Sequence, residues 1–236
     1  MANLITYKIV ADVDGRLKAA ARTACNFWNR FVEPSASIII RLGTFTSVGS
    51  TIARAYEPFT RNGVMYGVIE FNTKFLPEYS DTQVAGTVAH EIGHTLGFGW
   101  DKWMTLFDQN TGRFKQKPVK AVPALARMLV ETDYGPGTTL SHWDEEKFGT
   151  ELMTGFKSEA EHVLPVTIDV LPLLGHQVLE RLKKKTPLEP LLKNLAGLQF
   201  MQKERAKALD LDYFELTPVW EETYHFGRRK KPLQAI

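Results

Sequence analysis

Val84-Ala-Gly-Thr-Val-Ala-His-Glu-Ile-Gly-His-Thr-Leu-Gly97 carries two histidines four residues apart, His90 and His94, with Glu91 beside the first. Residues four apart share one face of an α-helix, so both imidazoles can address a single metal ion while Glu91 stands next to them as a base. The pattern is short, and its bland counterpart is a pair of core histidines on an amphipathic helix. The setting favours the metal. Ser80 or Asp81 can cap a helix here, and Val84, Val88, Ile92 and Leu96 form an apolar row at helical spacing. Gly97 and Gly99 follow, and glycine accepts the left-handed backbone that lets the chain turn back under a metal.

A catalytic zinc site usually takes three protein ligands and leaves the fourth position to water, so a third ligand is needed. In the compact arrangement it would be a histidine at position 100, which is Trp100 here. Two other candidates remain. Glu131, in Val130-Glu-Thr-Asp133, is an acidic one. His142 opens Ser141-His-Trp-Asp-Glu-Glu-Lys-Phe-Gly-Thr-Glu-Leu-Met-Thr-Gly155, with Met153 11 positions after it.

Gly97, the long interval after it, Gly135-Pro-Gly-Thr138, Ser141-His-Trp143 and Phe148-Gly-Thr-Glu-Leu-Met-Thr-Gly155 resemble the leishmanolysin-type metzincins. In that family an insertion displaces the third zinc histidine, and a methionine turn follows in a Glu-Leu-Met context. The resemblance implies His90, His94 and His142 as zinc ligands, Glu91 as catalytic acid/base, Gly97 as the turn and Met153 as the residue beneath the metal. Val166-Thr-Ile-Asp-Val-Leu-Pro-Leu-Leu-Gly175 resembles the last helix of the catalytic domain. The implied fold is α+β: a twisted mixed sheet with an active-site helix and a smaller C-terminal subdomain. The likeness covers residues 1–180, divided into an upper part of about 1–97, an insertion at 98–141 and a lower part at 142–180. One zinc ion per chain is implied.

A chain of 236 residues with 44% hydrophobic residues can build one sizeable core, with or without an appendage. No stretch approaches the roughly 18 apolar residues of a membrane helix, and Met-Ala-Asn-Leu-Ile-Thr-Tyr-Lys-Ile-Val lacks the basic head and apolar run of a signal peptide. Synthesis in the cytoplasm without a signal is therefore expected. Cys25 is the one cysteine, so no disulfide can form within the chain, unlike the disulfide-rich protozoan leishmanolysins. Among Leu17, Ala21, Ala24, Trp28 and Phe31 on a helical pattern, Cys25 is expected in the core.

Taken in order, Ile5–Val10 alternates as a first strand and residues 14–31 read as a long amphipathic helix. Ser37–Leu42, Thr51–Tyr56 and Gly63–Asn72 read as three further strands. By the resemblance, the last of these is the antiparallel edge above the cleft, where an extended peptide can add as a strand. Phe107-Asp-Gln-Asn-Thr-Gly112 starts like a calcium loop but lacks the later acidic ligands, so an ordinary turn is expected. Val119–Leu129 reads as a short helix. His162, His176 and His225 have no partner at ligand spacing and are expected on the surface or in loops. Glu145 and Glu146 can reach a second ring nitrogen of His142, but an acidic helix start is the commoner role.

From Arg181 onward there are 12 Lys or Arg against 7 Asp or Glu, a net +5 that leaves −3 for residues 1–180. Leu188–Leu209 reads as a helix with Leu191, Leu192, Leu195, Leu198 and Met201 as an apolar stripe, and Arg228-Arg-Lys-Lys231 is a basic cluster. Residues 181–236 are therefore expected to form a helical, basic extension that docks on a protein partner or on the catalytic domain itself. Without interleaved aromatics, a nucleic-acid partner is the weaker reading. Two functions stand at this level. One is a zinc endopeptidase acting on protein or peptide substrates, with Glu91 as the general base/acid. The other is a structural component of a larger particle, such as a virion or a secretion machine, that retains the fold and the zinc.

Overall fold

The structure, a computed structural model, describes residues 3–135 and 137–196. Strand β1 (Ile5–Ile9) opens the chain and leads into helix α1 (Arg16–Phe31). Gly15, at φ 81°, makes the turn between them, and the Asp12 carboxylate accepts from the backbone N–H groups of Gly15 and Lys18, taking the place of a capping side chain. One face of α1 is entirely apolar or small: Leu17, Ala21, Ala24, Cys25, Trp28 and Phe31 are all buried. Cys25 is thus a core residue, and burial pushes its thiol well above the ordinary range.

The sheet grows from the buried run Ile38–Leu42. Strand β2 (Ile38–Phe45) pairs parallel with β1, Ile5 opposite Ile38. Strand β3 (Ala53–Ala55), strand β4 (Phe59–Arg61) and strand β5 (Val64–Asn72) follow. β5 is parallel to β2, Ile38 opposite Met65, while β3 and β4 run antiparallel along its other side, Ala53 opposite Phe71 and Phe59 opposite Tyr66. The architecture is therefore α+β with a mixed sheet. β5 is not the edge that the sequence reading assigned to it. It is buried on both faces from Tyr66 through Asn72, and the antiparallel edge is formed by the two short strands before it. A near-continuous apolar run such as Val64–Phe71 is the mark of an interior strand.

Helix α2 (Asp81–Thr95) packs across α1 and against β3 and β5. Trp28 fixes the crossing of the two helices by donating its indole N–H to Ala89 O at 2.7 Å. Gly67 lets α2 approach the sheet: a Cβ there would stand 2.4 Å from Thr95 Oγ1.

The segment after α2 folds around aromatic rings. Trp103 contacts Phe98, Phe107, Phe114 and Trp143, and donates its indole N–H to Leu140 O at 2.8 Å. Asp108 Oδ1 accepts from Asn110 N, Thr111 N and Thr111 Oγ1, so the calcium-like stretch is a self-satisfied turn. The helix expected at Val119–Leu129 is two pieces, Gln116–Ala121 and a 3-10 turn at Pro123–Arg127. Pro123, which has no N–H to continue the ladder, accounts for the break. Val166–Gly175 likewise splits into Pro165–Asp169 and Leu171–Leu174, ended by Gly175 at φ 105°.

Packing does not stop at residue 180, where the extension was expected to begin. Gln177–Val178 pairs with Val32–Glu33, Thr186–Pro187 pairs with His162–Val163, and helix α3 (Leu188–Ala196) lies on α1 and α2. Leu188, Leu192 and Leu195 are buried there, which stabilises the docking by about 1.5–3 kcal/mol for each leucine fully covered. Residues 181–196 thus belong to the same packed body. The remainder of the expected docking segment, with Leu198, Met201, His225 and Arg228–Lys231, lies outside the described residues.

Candidate metal centre

The site is built on α2. Ser80 closes a capping box with Gln83: its hydroxyl accepts from Gln83 N, and the Gln83 side chain accepts from Ser80 N. A cap of this kind stabilises a helix by about 1 kcal/mol. From Val84 to Thr95 every residue is buried. His90 and His94 project from one face, as their spacing requires. At the far end, Gly97 sits at φ 111° and its N–H meets His94 O at 2.9 Å. Trp100 donates its indole N–H to the same carbonyl at 2.8 Å, a second donor to this buried acceptor at the helix end.

His142 arrives from the other side, on a loop held by the backbone. Leu140 N donates to Glu131 O at 2.7 Å and Glu131 N donates to His142 O at 2.9 Å, so the loop closes on itself. The Glu131 carboxylate is occupied by the N–H groups of Asp133 and Glu145, and takes no part in the centre. Of the candidates for third ligand, the structure brings His142 to His90 and His94.

The three Nε2 atoms form a nearly equilateral triangle with sides of 3.0, 3.1 and 3.2 Å. Each ring is turned by its other nitrogen. His90 Nδ1 faces Leu152 O at 2.6 Å, His94 Nδ1 faces Phe98 O at 3.1 Å, and His142 Nδ1 faces Thr138 O at 3.1 Å. A carbonyl only accepts, so all three Nδ1 atoms carry the hydrogen and all three Nε2 atoms present lone pairs. Three converging lone pairs repel one another unless a cation lies between them. Donors at about 2.0–2.1 Å from a tetrahedral metal stand about 3.3 Å from one another, close to the spacing seen. Three buried imidazoles are therefore arranged to hold one metal ion.

Electrostatics point the same way. Burial, together with the neighbouring imidazoles, lowers His90 well below the usual histidine range. Burial brings His94 to about 3, reinforced by His142, and His142 to about 4. Neutral imidazole is the ligand form. Glu91 is fully buried, neither carboxylate oxygen has a hydrogen-bond partner among the described residues, and burial raises its proton affinity well above that of an ordinary carboxylate. An orphaned carboxylate of this kind costs stability unless some other task retains it.

Met153 is buried against Gly93, the α2 residue just before His94. A Cβ at Gly93 would lie 2.5 Å from Met153 Sδ and 2.8 Å from its Cε. The thioether thus lies against α2 at the level of the ligands, and a helical glycine makes the room for it.

Other expectations need correction. His162 and His176 are both buried; His176 lies in a loop, as expected, whereas His162 lies on the short strand His162–Val163. His176 accepts from Ser35 N at 3.2 Å and donates to Leu96 O at 2.8 Å, tying the end of α2 to the N-terminal half, and His162 contacts Thr150 Oγ1 at 2.8 Å. Glu145 and Glu146, by contrast, take the acidic helix start expected of them and do not hold His142. They begin a short helix, Glu145–Phe148, capped by Asp144. The sequence reading missed the carbonyls of Leu152, Phe98 and Thr138, for which side-chain patterns carry no signal, and also Glu151, whose carboxylate binds Met153 N at 2.6 Å. Comparison of the chain with models of known protein families and with curated proteins gives no match.

Proposed function

We propose that the chain is a zinc-dependent endopeptidase of the leishmanolysin-like metzincin kind, with His90, His94 and His142 holding one zinc ion and Glu91 as general base and acid. The observation that carries this reading is the triangle of three unprotonated Nε2 atoms with the unpartnered Glu91 carboxylate on the same helix. Zinc, when bound, supplies a Lewis acid that polarises a carbonyl and brings the pKa of water from about 16 toward about 7. Glu91, as a carboxylate whose burial raises its proton affinity, would take a proton from water and return it to the leaving amine. Met153 and Gly93 keep the floor of the site apolar, which strengthens each charge interaction above it. The antiparallel edge β3–β4 offers backbone groups to an extended peptide.

The experiment is cleavage of an unfolded protein substrate by purified, zinc-replete protein. Activity lost on chelation, restored by zinc and abolished in Glu91→Gln with its zinc retained supports the reading. A zinc-replete protein that cleaves nothing counts against it.

A second reading, a zinc-bearing structural component of a larger assembly, is favoured by one observation: His90, Glu91, His94 and His142 are all 0% exposed. A working protease must open this centre to a peptide, whereas a scaffold need not. Hydrogen exchange of residues 131–156 with and without a peptide substrate separates the two. Only the protease reading expects that segment to respond.

A further inference from the structure

We propose that Glu151 is the positioning residue of the metal centre, setting the ring orientation of His90 and the placement of His142 through one closed hydrogen-bond circuit; this rests on the reading of the three histidines as metal ligands. Glu151 is 1% exposed, and none of the ion pairs among the described residues includes it. Its two oxygens serve different partners. Oε2 accepts from Met153 N at 2.6 Å, while Oε1 accepts from Thr167 Oγ1 at 2.6 Å and from Leu164 N at 3.1 Å. The circuit then closes. Trp143 donates its indole N–H to Thr167 Oγ1 at 3.0 Å, and its backbone N–H to Met153 O at 2.9 Å.

Both ends of this circuit lie next to a ligand. Leu152, between Glu151 and Met153, supplies the carbonyl that fixes His90 Nδ1, and Trp143 directly follows His142. A rotation of the Leu152 peptide would turn the His90 ring, and a slip of Trp143 would carry His142 with it. The chemistry of the site also excludes the obvious substitute. Two backbone N–H groups on opposite oxygens require an acceptor at each, and a glutamine presents an NH₂ to one of them. A buried carboxylate without a cation is a costly way to brace a turn, and an apolar residue of similar size often packs more stably. Its presence is accounted for by the need to hold two ligands in register, since such outer partners typically govern 10–100-fold in metal affinity.

The test compares wild-type protein, Glu151→Gln, Thr167→Val and Leu192→Ala. Leu192 is a buried α3 residue on α1 and α2, so its truncation lowers stability without touching the circuit. The readouts are zinc affinity by chelator competition, the visible absorption of the cobalt(II)-substituted protein, and thermal unfolding of the metal-free protein. Glu151→Gln is expected to weaken zinc binding about 10–100-fold and to change the cobalt absorption, while Leu192→Ala lowers the unfolding temperature and leaves both unchanged. If Glu151→Gln does not fold, Thr167→Val opens the same circuit with the carboxylate in place, and a several-fold loss of zinc affinity is expected. Wild-type affinity and cobalt absorption in a folded Glu151→Gln, or wild-type affinity in Thr167→Val, overturn the proposal alone. A wild-type protein that takes up no zinc overturns the metal reading and this proposal together.

Discussion

Gly67→Ala puts one methyl group where α2 meets the sheet, and the structure gives the size of the conflict. The new Cβ would stand 2.4 Å from Thr95 Oγ1, 2.6 Å from Thr95 Cγ2 and 3.0 Å from Ile40 Cδ1, all in a buried interface. Ordinary carbon contacts lie at about 3.5–4.0 Å, so α2 and β5 must part by about 1 Å or Thr95 must leave its rotamer. Thr95 is β-branched and stiff at χ1, which closes the cheaper route. Overpacking of this kind costs about 1–3 kcal/mol, against which alanine returns roughly 0.5–1 kcal/mol by its lower backbone entropy. A net loss of about 1–2 kcal/mol is expected. Thr95→Ala should relieve it. The Thr95 hydroxyl is buried with no hydrogen-bond partner among the described residues, so its removal is expected to cost under about 1 kcal/mol. The assay is urea unfolding of wild type, both single variants and the double variant, read as a double-mutant cycle. A favourable coupling of about 1–2 kcal/mol is expected. Wild-type stability in Gly67→Ala, or strictly additive losses, would refute the close-packing argument.

Three further outcomes are expected. Truncation after residue 196 should leave a folded, zinc-binding domain, whereas truncation after residue 180 should destabilise it severely, because Leu188, Leu192 and Leu195 cover α1 and α2; circular dichroism and zinc content of the two fragments check this. If the expected docking of residues 181–236 on a protein partner runs through its part beyond residue 196, the longer fragment keeps its fold and loses that partner in a pull-down. In the metal-free protein His94 and His142, at about 3 and about 4, stay neutral while the unfolded chain takes up protons below about 6.5, so stability falls as pH drops toward 4. These two contribute about 1.4 kcal/mol each per pH unit, and Glu151, raised to about 7, opposes with a similar slope below that value. His90, shifted down, and Glu91, shifted up, offset each other in direction. His162, brought to about 4 by burial, adds a third slope of the same sign, so the net expectation is a loss of about 2–3 kcal/mol per unit between pH 6 and 4.5 by urea unfolding, and a rise in stability over that window would contradict it.

The helix Asp81–Thr95 was legible because its signals are local: a capping box, an apolar row at period 3.6 and a terminating glycine all lie in one stretch. His142 was legible only by resemblance. Between the two helical histidines and the third lie 47 positions of loop and short helix, and closure of that loop depends on backbone bonds such as Leu140 N to Glu131 O, which leave no trace in side-chain pattern. The strand at Val64–Asn72 was recognised but placed at the wrong position in the sheet, although its apolar run already favoured an interior strand. The burial of His162 and His176 was not legible because spacing tests for metal partners, and their partners are a hydroxyl and backbone groups. The boundary at 180 was drawn from a change of charge, which reports on the surface. The buried Leu188, Leu192 and Leu195 continue past it.

The central claim is that three imidazoles hold one zinc ion. X-ray absorption at the zinc edge, on protein purified without added chelator, tests it most directly together with the metal content of the same sample. The account predicts one zinc per chain with three imidazole nitrogens at about 2.0–2.1 Å, and a first shell that loses one imidazole in His142→Ala. A protein without stoichiometric metal, or a His142→Ala variant whose zinc shell matches the wild type, would contradict it.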